Sequence, residues 1–184
     1  MSADTALVII DTQIGVVQDA YKRDEILENI NVLLERARSS AIPVIYVQHD
    51  GPEGDDLAPG ASGWPIHPAV APREGEPIVR KESPDSFHLT NLREELQKRG
   101  IKNLVIVGGQ TEVCVDTTIR RSLSEGYDVV LAGDAHATFD NDTLTAEQII
   151  AFTNSNLRGL WAAGQRVKVK PASEISFTEF SHAS

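Results

Sequence analysis

A single cysteine, Cys114, stands in a chain of 184 residues. That excludes an intrachain disulfide framework and a zinc site built from several cysteines. Positive charge is also short: 17 Lys and Arg against 27 Asp and Glu leave a formal net charge of -10. Binding to a phosphate backbone needs clustered Lys and Arg, so a nucleic-acid partner is not expected. No apolar run approaches the roughly 20 residues of a membrane span, so a membrane partner is not expected either. The N-terminal residues lack a basic stretch leading into an apolar one, and a cytoplasmic location is the expectation. What remains is 41% hydrophobic and 24% charged, the balance of an ordinary globular chain. Its length suits one domain over residues 1–184.

The order of elements is legible from the hydrophobic pattern. Residues 6–11, "ALVIID", form a continuous apolar run ending in an acid, the signature of a strand buried on both faces. A helix follows with Asp24 as N-cap, its apolar stripe made by Ile26, Ile30, Leu33, Leu34 and Ala37. Further strands are expected at 43–48, 77–81, 103–109, 127–135 and 166–170. Helices are expected from Leu89 to Arg99, closed by Gly100, from Val113 to Glu125, closed by Gly126, and from Thr145 to about Gly164. Thr145 and Gln148 stand at capping-box spacing, with Leu144 and Ile149 placed as a hydrophobic staple. The segment 50–76 is rich in Gly, Pro and Asp and has no period; a loop that long within a domain is often functional. Alternating strands and helices imply a three-layer α/β fold with a mostly parallel six-stranded sheet.

Ligands of such folds sit outside the carboxyl ends of the strands. The residues expected there are Asp11 and Gln13, Gln48 and His49, Lys81, Cys114, and Asp134 with His136. Reactive types thus gather on one edge. If Thr111 caps its helix, Cys114 occupies the first turn, where the positive end of the helix dipole favours a thiolate and lowers the thiol pKa. A nearby Lys81 would favour it further. Asp11 is placed as a general base for the thiol, giving a nucleophile, a base and an orienting cation on three adjacent strand ends. The glycine-rich "GGQTEVC" lets backbone N–H groups face a substrate oxygen, and those of Gln110 and Cys114 are the candidate oxyanion hole. Each residue also has a plainer role open to it. A free cysteine is commonly a small buried hydrophobe, an acid after a strand commonly caps a turn, and a lysine at a strand end is commonly solvated.

Three stretches, "VIIDTQIG", "IVRKESPDSF" and "VIVGGQTEVCVDTTIRRSLSEGYDVVLAGDA", resemble the signature blocks of the isochorismatase-like cysteine hydrolases, in the same order and over about residues 5 to 170. The family takes in streptothricin hydrolase-like proteins and nicotinamidases. The resemblance implies a Rossmann-like topology, a catalytic triad of Asp11, Lys81 and Cys114, and a cis peptide at Gly109–Gln110. It also implies a homodimer or homotetramer. Nicotinamidases hold a metal through an Asp-x-His element; here the region reads "QHDGPEGDD", so no metal or other cofactor is expected. His49 and His67 alone are weak metal evidence. True isochorismatases commonly lack the cysteine, so its presence points to attack on the carbonyl of a small amide. Cleavage of a vinyl ether with an idle thiol, or binding without turnover, stay open as alternatives. Gln13, His49, Trp64, His67 and Phe87 are the candidate contacts for the small-molecule substrate. Trp64 and His67 could equally form a surface turn or subunit contact, and Phe87 the core.

Overall fold

The computed structural model describes residues 4–177. The first strand, β1 (Thr5–Ile10), is buried along its whole length, as its unbroken apolar run requires. A single-turn helix, α1 (Ile14–Val17), and the long α2 (Arg23–Ser39) lead to β2 (Val44–His49). Beyond the 50–76 loop, irregular apart from a 3-10 turn at Pro68–Val70, come β3 (Ile78–Lys81) and the short α3 (Leu92–Gln97). The second half runs β4 (Asn103–Gly109), a π-helical turn (Thr111–Val115), α4 (Asp116–Ser124), β5 (Asp128–Ala137) and α5 (Ala146–Leu157). It closes with β6 (Trp161–Ala162) and β7 (Gln165–Lys170). No helix among the described residues is long and apolar enough to cross a membrane.

The sheet order is β3-β2-β1-β4-β5-β7-β6, and every pairing except β6 with β7 is parallel. Alternate residues of each strand face opposite layers, because a strand has a period of two. Leu7, Ile9, Tyr46 and Val107 pack against the stripe Ile26, Ile30, Leu33 and Leu34 of α2. Val8, Ile10, Val47 and Ile106 pack on the other face against Leu92 and Leu96 of α3 and Ile119 and Leu123 of α4. The chain winds outward from β1 in one direction and from β4 in the other. Their shared boundary is therefore the switch point, where the loops diverge and leave a crevice.

Several local expectations are corrected. The sheet has seven strands rather than six, because α5 stops at Leu157 and not near Gly164. Gly159 turns the chain with φ 76, and Ala163 and Gly164 (φ 54 and 88) make a two-residue hairpin loop that pairs β6 with β7. Two successive positive φ values match the twist of a tight hairpin. The N-cap of α2 is Lys22, in the left-handed region, while Asp24 lies in the first turn, where its charge complements the helix dipole. Helix α3 begins three residues later than expected. Thr90 Oγ1 donates to Ser86 O at 2.6 Å and accepts from Leu92 N at 3.3 Å, holding the preceding residues in a turn. The capping box of Thr145 and Gln148 is present.

Candidate active site

Asp11 follows β1 directly and adopts φ 46, a left-handed conformation uncommon outside glycine. Cys114 follows β4 through a turn that the sequence explains atom by atom. Gly108 has φ 122, and a Cβ there would lie 1.9 Å from the carbonyl oxygen of Ile10, so only glycine lets β4 pass β1 at this point. The Gly109–Gln110 peptide is cis. The Gln110 carbonyl then accepts from both Val113 N (3.2 Å) and Val115 N (3.1 Å), which opens the first turn to a π turn. Thr111 is inside that turn rather than capping it. Its hydroxyl lies 2.8 Å from His136 Nδ1 and 3.0 Å from Ala137 O.

The three residues converge. Lys81 Nζ lies 2.6 Å from Asp11 Oδ2 and donates to Cys114 Sγ at 3.3 Å, and it is also 3.3 Å from His49 Nδ1. Lys81 and Asp11 are 2% and 1% exposed, so this is a buried ion pair and not a surface one. Asp11 Oδ1 and the Thr12 hydroxyl oxygen are buried without a hydrogen-bond partner among the described residues. The three residues do not sit on adjacent strands, as expected from sequence. β2 lies between β3 and β1, and Lys81 reaches past His49 to meet Asp11.

The electrostatics overturn the expected thiolate. The Cys114 thiol is pushed up to about 11, first by burial and then by the Asp11 carboxylate, with Lys81 opposing. Burial and the neighbouring acid outweigh the lysine. Burial likewise raises Asp11, against the pull of the Lys81 ammonium and the thiol. His49 is held below its usual value by burial and then by Lys81.

The other sequence candidates divide. Gln13 is fully buried and clamps backbone: Nε2 donates to His49 O and Trp64 O, both at 2.9 Å, and Oε1 accepts from His49 N at 2.7 Å. His67 Nδ1 accepts from Ala69 N, capping the 3-10 turn. Phe87 is buried in the core and stacks on Tyr127 at 5.9 Å between centroids. Asp134 Oδ1 accepts from Ala172 N, and His136 Nε2 lies 3.0 Å from Asn154 Oδ1; both serve the scaffold. Beside Lys81 lies a cavity of about 490 Å³ whose walls include Asp50, Arg80, Glu82, Ser83, His88 and Leu89. None of these was singled out from sequence. Trp64 touches two of these wall residues: Asp50 Oδ1 accepts from Trp64 Nε1 at 2.9 Å and from Arg80 Nε at 2.8 Å, and Arg80 lies over the Trp64 ring. The signal available was position, since Arg80, Glu82 and Ser83 fall in the block that contains Lys81. Among the described residues no three His, Cys, Asp or Glu side chains are grouped to hold a metal ion.

The Isochorismatase domain family matches residues 5–157. The chain belongs to the isochorismatase family. A secreted isochorismatase effector of Verticillium dahliae is 38% identical over 151 residues, 80% of each chain. A streptothricin hydrolase of Streptomyces noursei is 35% identical over 176 residues, covering 90% of this chain but 62% of its own length. Among solved structures, an isochorismatase from Pseudomonas putida superposes with a TM-score of 0.86 at 31% identity, over 95% of this chain and 91% of that one. In this member of the hydrolase family, Asp11, Lys81 and Cys114 meet at the carboxyl ends of β1, β3 and β4.

Proposed function

We propose that this isochorismatase-family hydrolase cleaves the C–N bond of a small amide through a covalent bond to Cys114. The observation that carries the reading is the buried Lys81 ammonium, within 2.6 Å of Asp11 and 3.3 Å of Cys114 at the switch point. The raised ionisation of both acid groups fits a proton transfer between them. A protonated thiol needs a base, and burial makes Asp11 a stronger base than a solvated aspartate. Asp11 takes the Sγ proton as sulfur attacks the carbonyl carbon. The N–H groups of Gln110 and Cys114 receive the oxyanion. The C–N bond then breaks, Asp11 returns its proton to the leaving nitrogen, and a thioester remains. Water attacks the thioester, gives one proton to Asp11, and the thiol leaves with that proton. Lys81 holds its partners in place and offsets their negative charge throughout.

The test is an ammonia-release screen across small amides with the Cys114→Ala variant as control. Activity in the unmodified protein that falls by at least about 10⁴-fold in the variant, with the same unfolding curve, supports the reading. Retained turnover in Cys114→Ala sinks it. One observation favours a second reading, in which Asp11 protonates a vinyl ether while the thiol stays idle: burial biases Asp11 toward its protonated form. Under that reading the Cys114→Ala variant keeps full activity toward the ether.

A further inference from the structure

Lys81 has three N–H donors and no acceptor, and it is sealed from solvent. The structure surrounds Nζ with three candidate acceptors: Asp11 Oδ2, Cys114 Sγ and His49 Nδ1. The third is the one that the triad leaves out. An imidazole nitrogen can accept a proton only if it carries none, so this contact selects the neutral ring with its hydrogen on Nε2. His49 is also built into place. It is the register partner of Lys81 across the β2–β3 pair, and the fully buried amide of Gln13 grips its backbone on both sides, at N and at O.

We propose that His49 is a positioning residue of the hydrolytic site, its unprotonated Nδ1 acting as the third acceptor that aims the Lys81 ammonium at Asp11 and Cys114. This rests on the reading that Lys81 serves Cys114. It replaces direct substrate contact as the role of His49. The charged groups that act on the ring are Lys81, which lowers its pKa, and Asp11, Asp50 and Asp55, which raise it. When His49 gains a proton on Nδ1, an acceptor becomes a donor pointed at an ammonium, and Lys81 loses one of the three contacts that hold it against the sulfur.

The test needs no substrate. In the unmodified protein, carbon and nitrogen NMR of the imidazoles should show His49 as the Nε2–H tautomer, titrating below the ordinary 6.5. In Lys81→Met the midpoint should move up, because the repelling cation is gone. Cys114 is the only thiol, so a mass shift after iodoacetamide treatment reports on it alone. His49→Phe should slow alkylation at pH 8 roughly tenfold, the effect of one unit in the thiol pKa. His49→Asn, whose Oδ1 stands close to where Nδ1 stood, should restore the rate. An Nδ1–H tautomer, an unmoved midpoint in Lys81→Met, alkylation in His49→Phe as fast as in the unmodified protein, or failure of His49→Asn to restore it would each overturn the proposal. The tautomer measurement decides even if His49→Phe does not fold. All of these readouts are independent of ammonia release, so failure of the amidase reading and failure of this one are told apart.

Discussion

Lys81 Nζ and Asp11 Oδ2 meet at 2.6 Å with both side chains sealed from solvent, and their two charges push the ionisation of Cys114 in opposite directions. Asp11 acts to keep the proton on sulfur, Lys81 to remove it. The acid is thus both the obstacle to a resting thiolate and the base that accepts the proton during attack.

Replacing that acid should therefore separate reactivity from turnover. In Asp11→Asn the carboxylate charge is lost and Lys81 stays, so the thiol pKa falls. Alkylation by iodoacetamide at pH 8 is expected to rise about tenfold. Ammonia release should fall by at least about 10²-fold, since no group remains to shuttle the proton. A parallel fall in both rates would show that Asp11 does not oppose the thiolate.

In the unmodified protein the thiol is pushed up to about 11. Alkylation, followed by mass across pH 6 to 11, should climb throughout that range and show no plateau near neutrality. A plateau beginning near pH 7 would mean that Lys81 outweighs burial and Asp11.

His136 links stability to pH. It is almost fully buried, with Thr111 and Asn154 at its two ring nitrogens, and burial holds its pKa below the ordinary 6.5. The unfolded chain then binds a proton that the folded chain refuses. The stabilisation is fully present above about pH 6.5 and is lost as pH falls through the folded value. Urea midpoints should drop between pH 7 and pH 5, and His136→Gln should flatten that slope.

Gly108→Ala tests the close approach of β4 to β1. Its Cβ would stand 1.9 Å from the Ile10 carbonyl oxygen, a backbone atom that cannot step aside, and alanine disfavours φ 122. A loss of at least about 2 kcal/mol in a denaturant titration is expected. The strands would part next to Asp11, so activity should fall at temperatures where the variant is still folded.

Phe87→Ala separates core from pocket. Removing a buried ring that stacks on Tyr127 should cost about 3–5 kcal/mol. The ratio of kcat/KM between two amide substrates should stay unchanged. A change of substrate preference at full stability would return Phe87 to the pocket.

What the sequence determined by itself follows from local rules. Continuous apolar runs mark β1 and β4 because a strand buried on both faces has no polar side to show. The capping box at Thr145 and Gln148 is a contact between residues three apart, so no fold is needed to find it. The gathering of Asp11, Lys81 and Cys114 on one edge follows from parallel strands, which bring all their carboxyl ends to the same side.

Tertiary structure decided the rest, because it depends on distances that no spacing encodes. The strand order put β2 between Lys81 and Asp11, and with it His49 at the side of the lysine. Burial set the ionisation of Cys114: a dipole and a lysine can be read along the chain, but the loss of solvent around a thiol is a property of everything packed against it. Gln13 and Phe87 had the chemistry of pocket residues. Packing turned one into a backbone clamp and the other into core, since a buried amide seeks unpaired peptide groups and a buried ring seeks another ring.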